Sequence, residues 1–126
     1  MSLTKDHIIA KSREFAPQIR DALCRVIEIP TPNPPGRNYE ECAAFCQHLL
    51  EPLPMKTQII RVPEQLLPTL APLGEGLPRP ILVGIWGKGS PSLHFHGHYD
   101  VVNPISPEQF QTRVGGTLYT GEVPPI

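Results

Sequence analysis

Proline sets the tightest limits on what this chain can fold into. Seventeen of its 126 residues are proline, well above the roughly 5% of average usage. Each one removes a backbone donor and fixes φ, so it interrupts a helix and is kept out of the middle of a sheet. The prolines gather in Pro30–Pro35, Pro63–Pro80 and Pro104–Pro125. These stretches read as loops, and regular elements are confined to the gaps between them.

The first gap carries a helical pattern. Thr4 can cap it, with Asp6 in the first turn. Ile8, Phe15, Ile19, Leu23, Val26 and Ile27 recur at a period close to 3.6, which predicts one buried face. Pro17 lies inside the run and predicts a kink or a restart. The helix must stop before Pro30, because a residue ahead of proline avoids helical angles. In the second gap Asn38 and Glu41 resemble a capping box. Cys42, Phe45, Cys46, Leu49, Leu50 and Leu53 then share a face.

Strand character follows at Met55–Val62, which predicts an edge strand. Leu66, Leu67, Leu70 and Leu73 suggest a short helical turn inside the proline-rich connection. Ile81–Trp86 is an apolar run expected to be covered on both faces. Gly87–Ser90 supplies a turn, and Ser92–Gly97 is expected to be the next strand and its hairpin partner. The order of elements predicts an α/β layered domain, two N-terminal helices packed on a mixed β-sheet.

Charge narrows the function classes. Eleven basic and twelve acidic residues leave a net charge of −1 without a basic run, so neither nucleic acid nor an anionic membrane is expected as a partner. No apolar stretch reaches bilayer length and no signal-peptide pattern opens the chain, which predicts a cytoplasmic protein. Three cysteines, an odd number, suggest reduced thiols rather than a disulfide scaffold. Cys42 and Cys46, four apart, could share a metal or pack as small hydrophobes.

The chemistry concentrates in Ser92–Val102, Ser-Leu-His-Phe-His-Gly-His-Tyr-Asp-Val-Val. A histidine serves as a metal ligand when its ring is held in one tautomer and orientation. A carboxylate two residues on can do this by accepting a hydrogen bond from the nitrogen that faces away from the metal. His98 and Asp100 have this spacing. His94, His96 and His98 alternate, so a strand would put all three on one face and offer a different ligand set. Metallo-β-lactamase-type hydrolases use His-x-His-x-Asp-His, but the Asp position is His98 here. Amidohydrolase barrels open with His-x-His, and this chain is too short for a barrel.

Gly97-His98-Tyr99-Asp100-Val101-Val102 resembles the first metal-binding motif of the M20 metallopeptidase family, which includes acetylornithine deacetylase and succinyl-diaminopimelate desuccinylase. Ile29-Pro30-Thr31-Pro32-Asn33-Pro34-Pro35-Gly36 and Asn38-Tyr39-Glu40-Glu41 resemble that family's loop and helix start. The likeness covers about residues 15 to 119. It implies a partial zinc-peptidase-like layered domain, with 1–126 the N-terminal part of the catalytic domain.

The resemblance further implies a site with two zinc ions, or cobalt. His98 would be a metal ligand and Asp100 the catalytic-site carboxylate that orients it. Zinc-assisted addition of water to the amide bond of an N-acyl amino acid or small peptide is the reaction implied. The loop Pro30–Gly36 would lie near the rim of that site.

The family's remaining ligands and general-base glutamate lie downstream of this motif. After Gly116-Thr117-Leu118-Tyr119 the family pattern leads into a bridging aspartate, whereas here Thr120–Ile126 departs from it as an aberrant tail. Glu122 does not match the pattern. A shifted reading of those codons can encode Arg-Gly-Ser-small-small-Asp, which predicts a frameshift at or just before Thr120. The expected chain is therefore a truncated domain, inactive alone, without retained metal, and prone to self-association through uncovered apolar faces. The alternatives are a non-catalytic remnant and a small metal-binding module on His94, His96 and His98. Sequencing the gene past the Tyr119 codon is expected to reveal Asp-Met-Lys in an open frame; its absence removes the frameshift.

Overall fold

A computed structural model describes residues 4–103, 113–114 and 117–118. Helix α1 (Lys5–Ile27) starts where the Thr4 side-chain oxygen accepts a hydrogen bond from the His7 N–H at 3.3 Å. This satisfies one of the donors that a first turn leaves unpaired, and Asp6 beside it complements the helix dipole. The helix ends at Ile27, ahead of Pro30 as expected. It runs through Pro17 without a restart. One proline removes a single ladder bond, and the turns on either side hold the helix together.

The expected burial of α1 does not occur. Cys24 is its buried residue, while Ile8, Phe15, Ile19, Leu23 and Ile27 are exposed among the described residues. The stripe is real in the pattern, but the neighbouring helix meets only part of it.

Helix α2 (Tyr39–Leu50) begins differently from the expected capping box. Asn38 sits at φ 57° and its side chain makes no cap bond. Its amide instead donates to the Pro30 carbonyl at 2.7 Å, tying the two ends of the proline loop together. Asparagine tolerates left-handed backbone better than most residues, so the residue suits the turn even though the cap is lost.

Strands β1 (Met55–Arg61) and β2 (Pro80–Trp86) pair antiparallel, from Met55 opposite Trp86 to Arg61 opposite Pro80. The period-2 alternation turns Met55, Thr57 and Ile59 inward beneath α2. Gln47 of α2 donates to the Thr57 hydroxyl at 3.2 Å, and Arg61 donates twice to Glu40 at 2.7 Å. The opposite face leaves Ile60, Ile81 and Ile85 exposed. β2 is thus covered on one face, not on both as its composition suggested. A second short ladder joins β3 (Arg113–Val114) to β4 (Thr117–Leu118).

Among the described residues the architecture is α/β, with helices and two separate two-stranded antiparallel sheets, rather than the mixed sheet expected. Ser92–Gly97 is not a strand, and the partner of β2 is β1. Leu93 and Phe95 are 80% and 85% exposed. Without apolar burial the segment gains nothing to offset the entropy of ordering it as a strand. No helix among the described residues is long and apolar enough to cross a membrane.

Between the strands, a 3-10 turn (Glu64–Leu66) leads into a one-turn helix α3 (Leu67–Leu70), where Leu67 is buried. This is the helical turn anticipated from the leucines. The connection returns to the sheet through Arg79, whose guanidinium donates to the Pro35 carbonyl and lies 5.0 Å from the centre of the Tyr39 ring. Gly36 and Gly74 make room for it, since a Cβ on either would overlap the guanidinium.

Cys42 is fully buried and Cys46, one turn on, is half-buried, so only the first behaves as a packed hydrophobe. The hydrogen bond from the Cys42 thiol holds Cys46 below the ordinary thiol range against partial burial, and the same bond together with burial pushes Cys42 up. Alkylation by iodoacetamide is therefore expected to select Cys46, with its rate half-maximal below the ordinary thiol range. In Cys42→Ala the midpoint should move toward the ordinary thiol range of about 8.5.

Two glycine variants test the Arg79 clasp. Gly76→Ala meets open space at φ +71° and should cost about 1 kcal/mol for left-handed backbone alone. Gly36→Ala, at φ +88° and against the guanidinium, should cost about 1–3 kcal/mol more for overpacking. Equal urea midpoints for the two would mean that the clasp simply moves aside.

Candidate functional site

Two segments far apart in sequence are stitched together here. The buried Thr31 hydroxyl, 2% exposed as a residue, donates to the Tyr99 carbonyl at 2.6 Å. The Val101 N–H donates to the Thr31 carbonyl at 3.0 Å, and the Asn33 N–H donates to the Val101 carbonyl at 2.8 Å. Together they form a parallel bridge between Pro32 and Val101. Proline lacks a donor, so Thr31 and Asn33, the residues on either side of Pro32, provide the pairing groups.

Tyr99 anchors the motif from inside. Its hydroxyl donates to the Pro80 carbonyl at 2.7 Å, and its ring meets Tyr39 edge-on at 5.4 Å and 86°. Burial is the main cause that pushes the Tyr99 phenol up to about 12. The group therefore stays protonated, and keeps donating, throughout the neutral range.

With Tyr99 turned inward, His98 and Asp100 meet at the surface. Asp100 Oδ1 lies 2.8 Å from His98 Nδ1, and Asn33 Nδ2 donates to Asp100 Oδ2 at 3.0 Å. The bond from Asn33 is the leading cause that holds the Asp100 carboxyl below its usual range, with the His98 contact adding to it against partial burial. An ionised carboxylate only accepts hydrogen bonds, so the ring proton belongs on His98 Nδ1. The Nε2 lone pair then faces outward on a side chain that is 78% exposed.

This arrangement fits one metal-ligand position. A neutral imidazole offering Nε2, with Nδ1 tied to a carboxylate, suits zinc. Among the described residues no group of three or more His, Cys, Asp or Glu side chains could hold a metal ion together. His94 and His96 lie in irregular chain, with ring centres 6.4 Å apart at 76°. The strand face that was expected to align them with His98 is not formed. Residues 120–126, including Glu122, lie outside the described residues.

Sequence reasoning placed His98 and Asp100 together and missed Asn33. The amide of Asn33 reaches Asp100 across 67 positions of sequence, a separation at which no local pattern operates. The only pointer was the loop's likeness to a family segment at the rim of a site. Comparisons with family models, with curated proteins and with solved structures find no match to this chain.

A carboxyl whose pKa is lower folded than unfolded stabilises the fold above the unfolded value and loses that contribution as pH falls through the folded value. Asp100 has this sign. In Asn33→Ala its carboxyl titration, followed by NMR, is expected to move upward toward about 3.9. The acid limb of stability should shift to higher pH with it. An unchanged Asp100 titration would show that Asn33 does not support the carboxylate.

Proposed function

We propose that this chain contributes one corner of a zinc-dependent amidohydrolase centre of M20 type, cleaving the amide bond of N-acyl amino acids or small peptides. Acetylornithine deacetylase and succinyl-diaminopimelate desuccinylase are the nearest activities. The observation that carries the reading is the 2.8 Å contact between His98 Nδ1 and Asp100 Oδ1, which leaves Nε2 outward.

In this reading His98 Nε2 would hold zinc, and Asp100 keeps the ring in the tautomer that makes Nε2 available. Asn33 fixes Asp100, and the Thr31–Tyr99 and Asn33–Val101 bonds fix the backbone that presents both. When bound, zinc supplies Lewis-acid polarisation of a carbonyl and acidifies water. The further ligands and the general base would come from outside the described residues. Cys24, Cys42 and Cys46 form no disulfide with one another, which agrees with a reducing, cytoplasmic setting.

The test uses the full-length gene product, supplied with zinc and assayed for free-amine release from N-acetyl and N-succinyl amino acids. His98→Ala should abolish turnover. Asp100→Asn should lower it by roughly 10–100-fold, the usual effect of removing a carboxylate behind a ligating histidine. Undiminished hydrolysis by His98→Ala would sink the reading. The exposed apolar residues of α1 support self-association as well. Sedimentation of the 126-residue chain is expected to give more than a monomer mass.

A further inference from the structure

Asn33, which donates to Asp100, also lines a cleft of about 370 Å³ together with Pro34, Leu70, Leu73, Gly74 and Arg79 among others. The volume falls in the range of small-molecule sites. One wall is the proline loop, another is the turn that follows α3, and Arg79 supplies the charge.

Arg79 is half-buried, and its neighbours are peptide carbonyls and an aromatic ring. Nη2 donates to the Pro35 carbonyl, while Nη1 has only long contacts to the Gly36, Leu77 and Pro78 carbonyls at 3.4–3.5 Å. Those distances exceed the usual 2.7–3.2 Å of an N–H···O bond, so Nη1 is under-satisfied. Among the described residues no carboxylate lies within ion-pair distance of Arg79, and the nearby Glu75 pairs with Arg37 at 3.3 Å. A guanidinium taken partly out of water with no anion to balance it favours a carboxylate, which it can bind through two parallel hydrogen bonds. Leu70 and Leu73 give the same cleft apolar walls.

We propose that this cleft binds the free carboxylate of an N-acyl amino acid with an apolar side chain, Arg79 taking the charge and Leu70 and Leu73 the side chain. The proposal rests on the amide-substrate reading and makes it more specific. Asn33 belongs to both places, lining the cleft and donating to Asp100. The carboxylate subsite thus borders the candidate ligand through one shared side chain.

The experiment is an NMR titration of the 126-residue chain, without metal, using N-acetyl-leucine, N-acetyl-leucinamide and acetate. N-acetyl-leucine is expected to shift the amides of Asn33, Leu73 and Gly74 and to bind at least tenfold more tightly than the other two. Equal binding of the amide would remove the role of charge, and equal binding of acetate that of the apolar walls. Either result overturns the proposal, as does the absence of any shift.

Arg79→Lys keeps the charge and loses the fork, and should weaken binding at least tenfold. Because Arg79 also clasps the loop, Leu73→Glu serves as a second variant. Leu73 is exposed, so a carboxylate there should be tolerated by the fold and should occupy Arg79, blocking N-acetyl-leucine tenfold or more. Undisturbed binding in both variants overturns the subsite. His98→Ala should still bind, which separates the two questions. Binding without hydrolysis by the full-length protein keeps the subsite and removes the reaction; hydrolysis without binding here does the reverse.

Discussion

The short parallel bridge between Thr31–Asn33 and Tyr99–Val101 is the constraint on which the candidate site depends. Three hydrogen bonds of 2.6–3.0 Å join two segments that neither helix nor sheet brings into register by itself. One of them comes from a buried threonine hydroxyl, where a missing partner would leave a desolvated polar group. The bridge also puts Asn33 beside Asp100 and Asp100 beside His98. Without it these side chains would sit on two independent loops, and an exposed ion pair held that loosely contributes little.

Beneath the bridge, one buried and two half-buried side chains pack together. Tyr39, Tyr99 and Arg79 form a continuous set of ring and cation contacts. The Tyr39 hydroxyl is buried without a hydrogen-bond partner among the described residues, and burial raises its pKa, with Asp100 adding to the rise and Arg79 opposing it. Such a group costs more than an apolar residue of the same shape. The cation over its ring offsets part of that cost. The same cation braces the proline loop from behind, so one side chain serves both the packing and the cleft.

Much of the local structure was legible in the chain. Thr4 and Asp6 mark the start of α1, the 3.6-residue spacing marks its body, and Pro30 marks its limit. The alternation and β-branching of Met55–Arg61 mark a strand. These are short-range effects of capping, propensity and proline sterics, which act within a few residues. Ser92–Gly97 misled for the same reason. Its side chains suit a strand, but Leu93 and Phe95 stay exposed, so no apolar burial offsets the entropy of ordering it. The apolar stripe of α1 misled in another way: periodicity states which face would be buried, not whether anything covers it.

The motif Gly97–Val102 was visible as a histidine with a carboxylate two residues on, and that spacing alone brought His98 and Asp100 into reach of each other. Tertiary structure decided the rest. It chose Tyr99 as the inward anchor, brought Asn33 across 67 positions to hold the carboxylate, and placed Arg79 in the wall of a cleft without an acidic partner among the described residues. Local spacing determines which neighbours along the chain can touch. Partners that meet only after loop closure are selected by the burial and hydrogen bonding of the whole fold, and no stretch of sequence records those by itself.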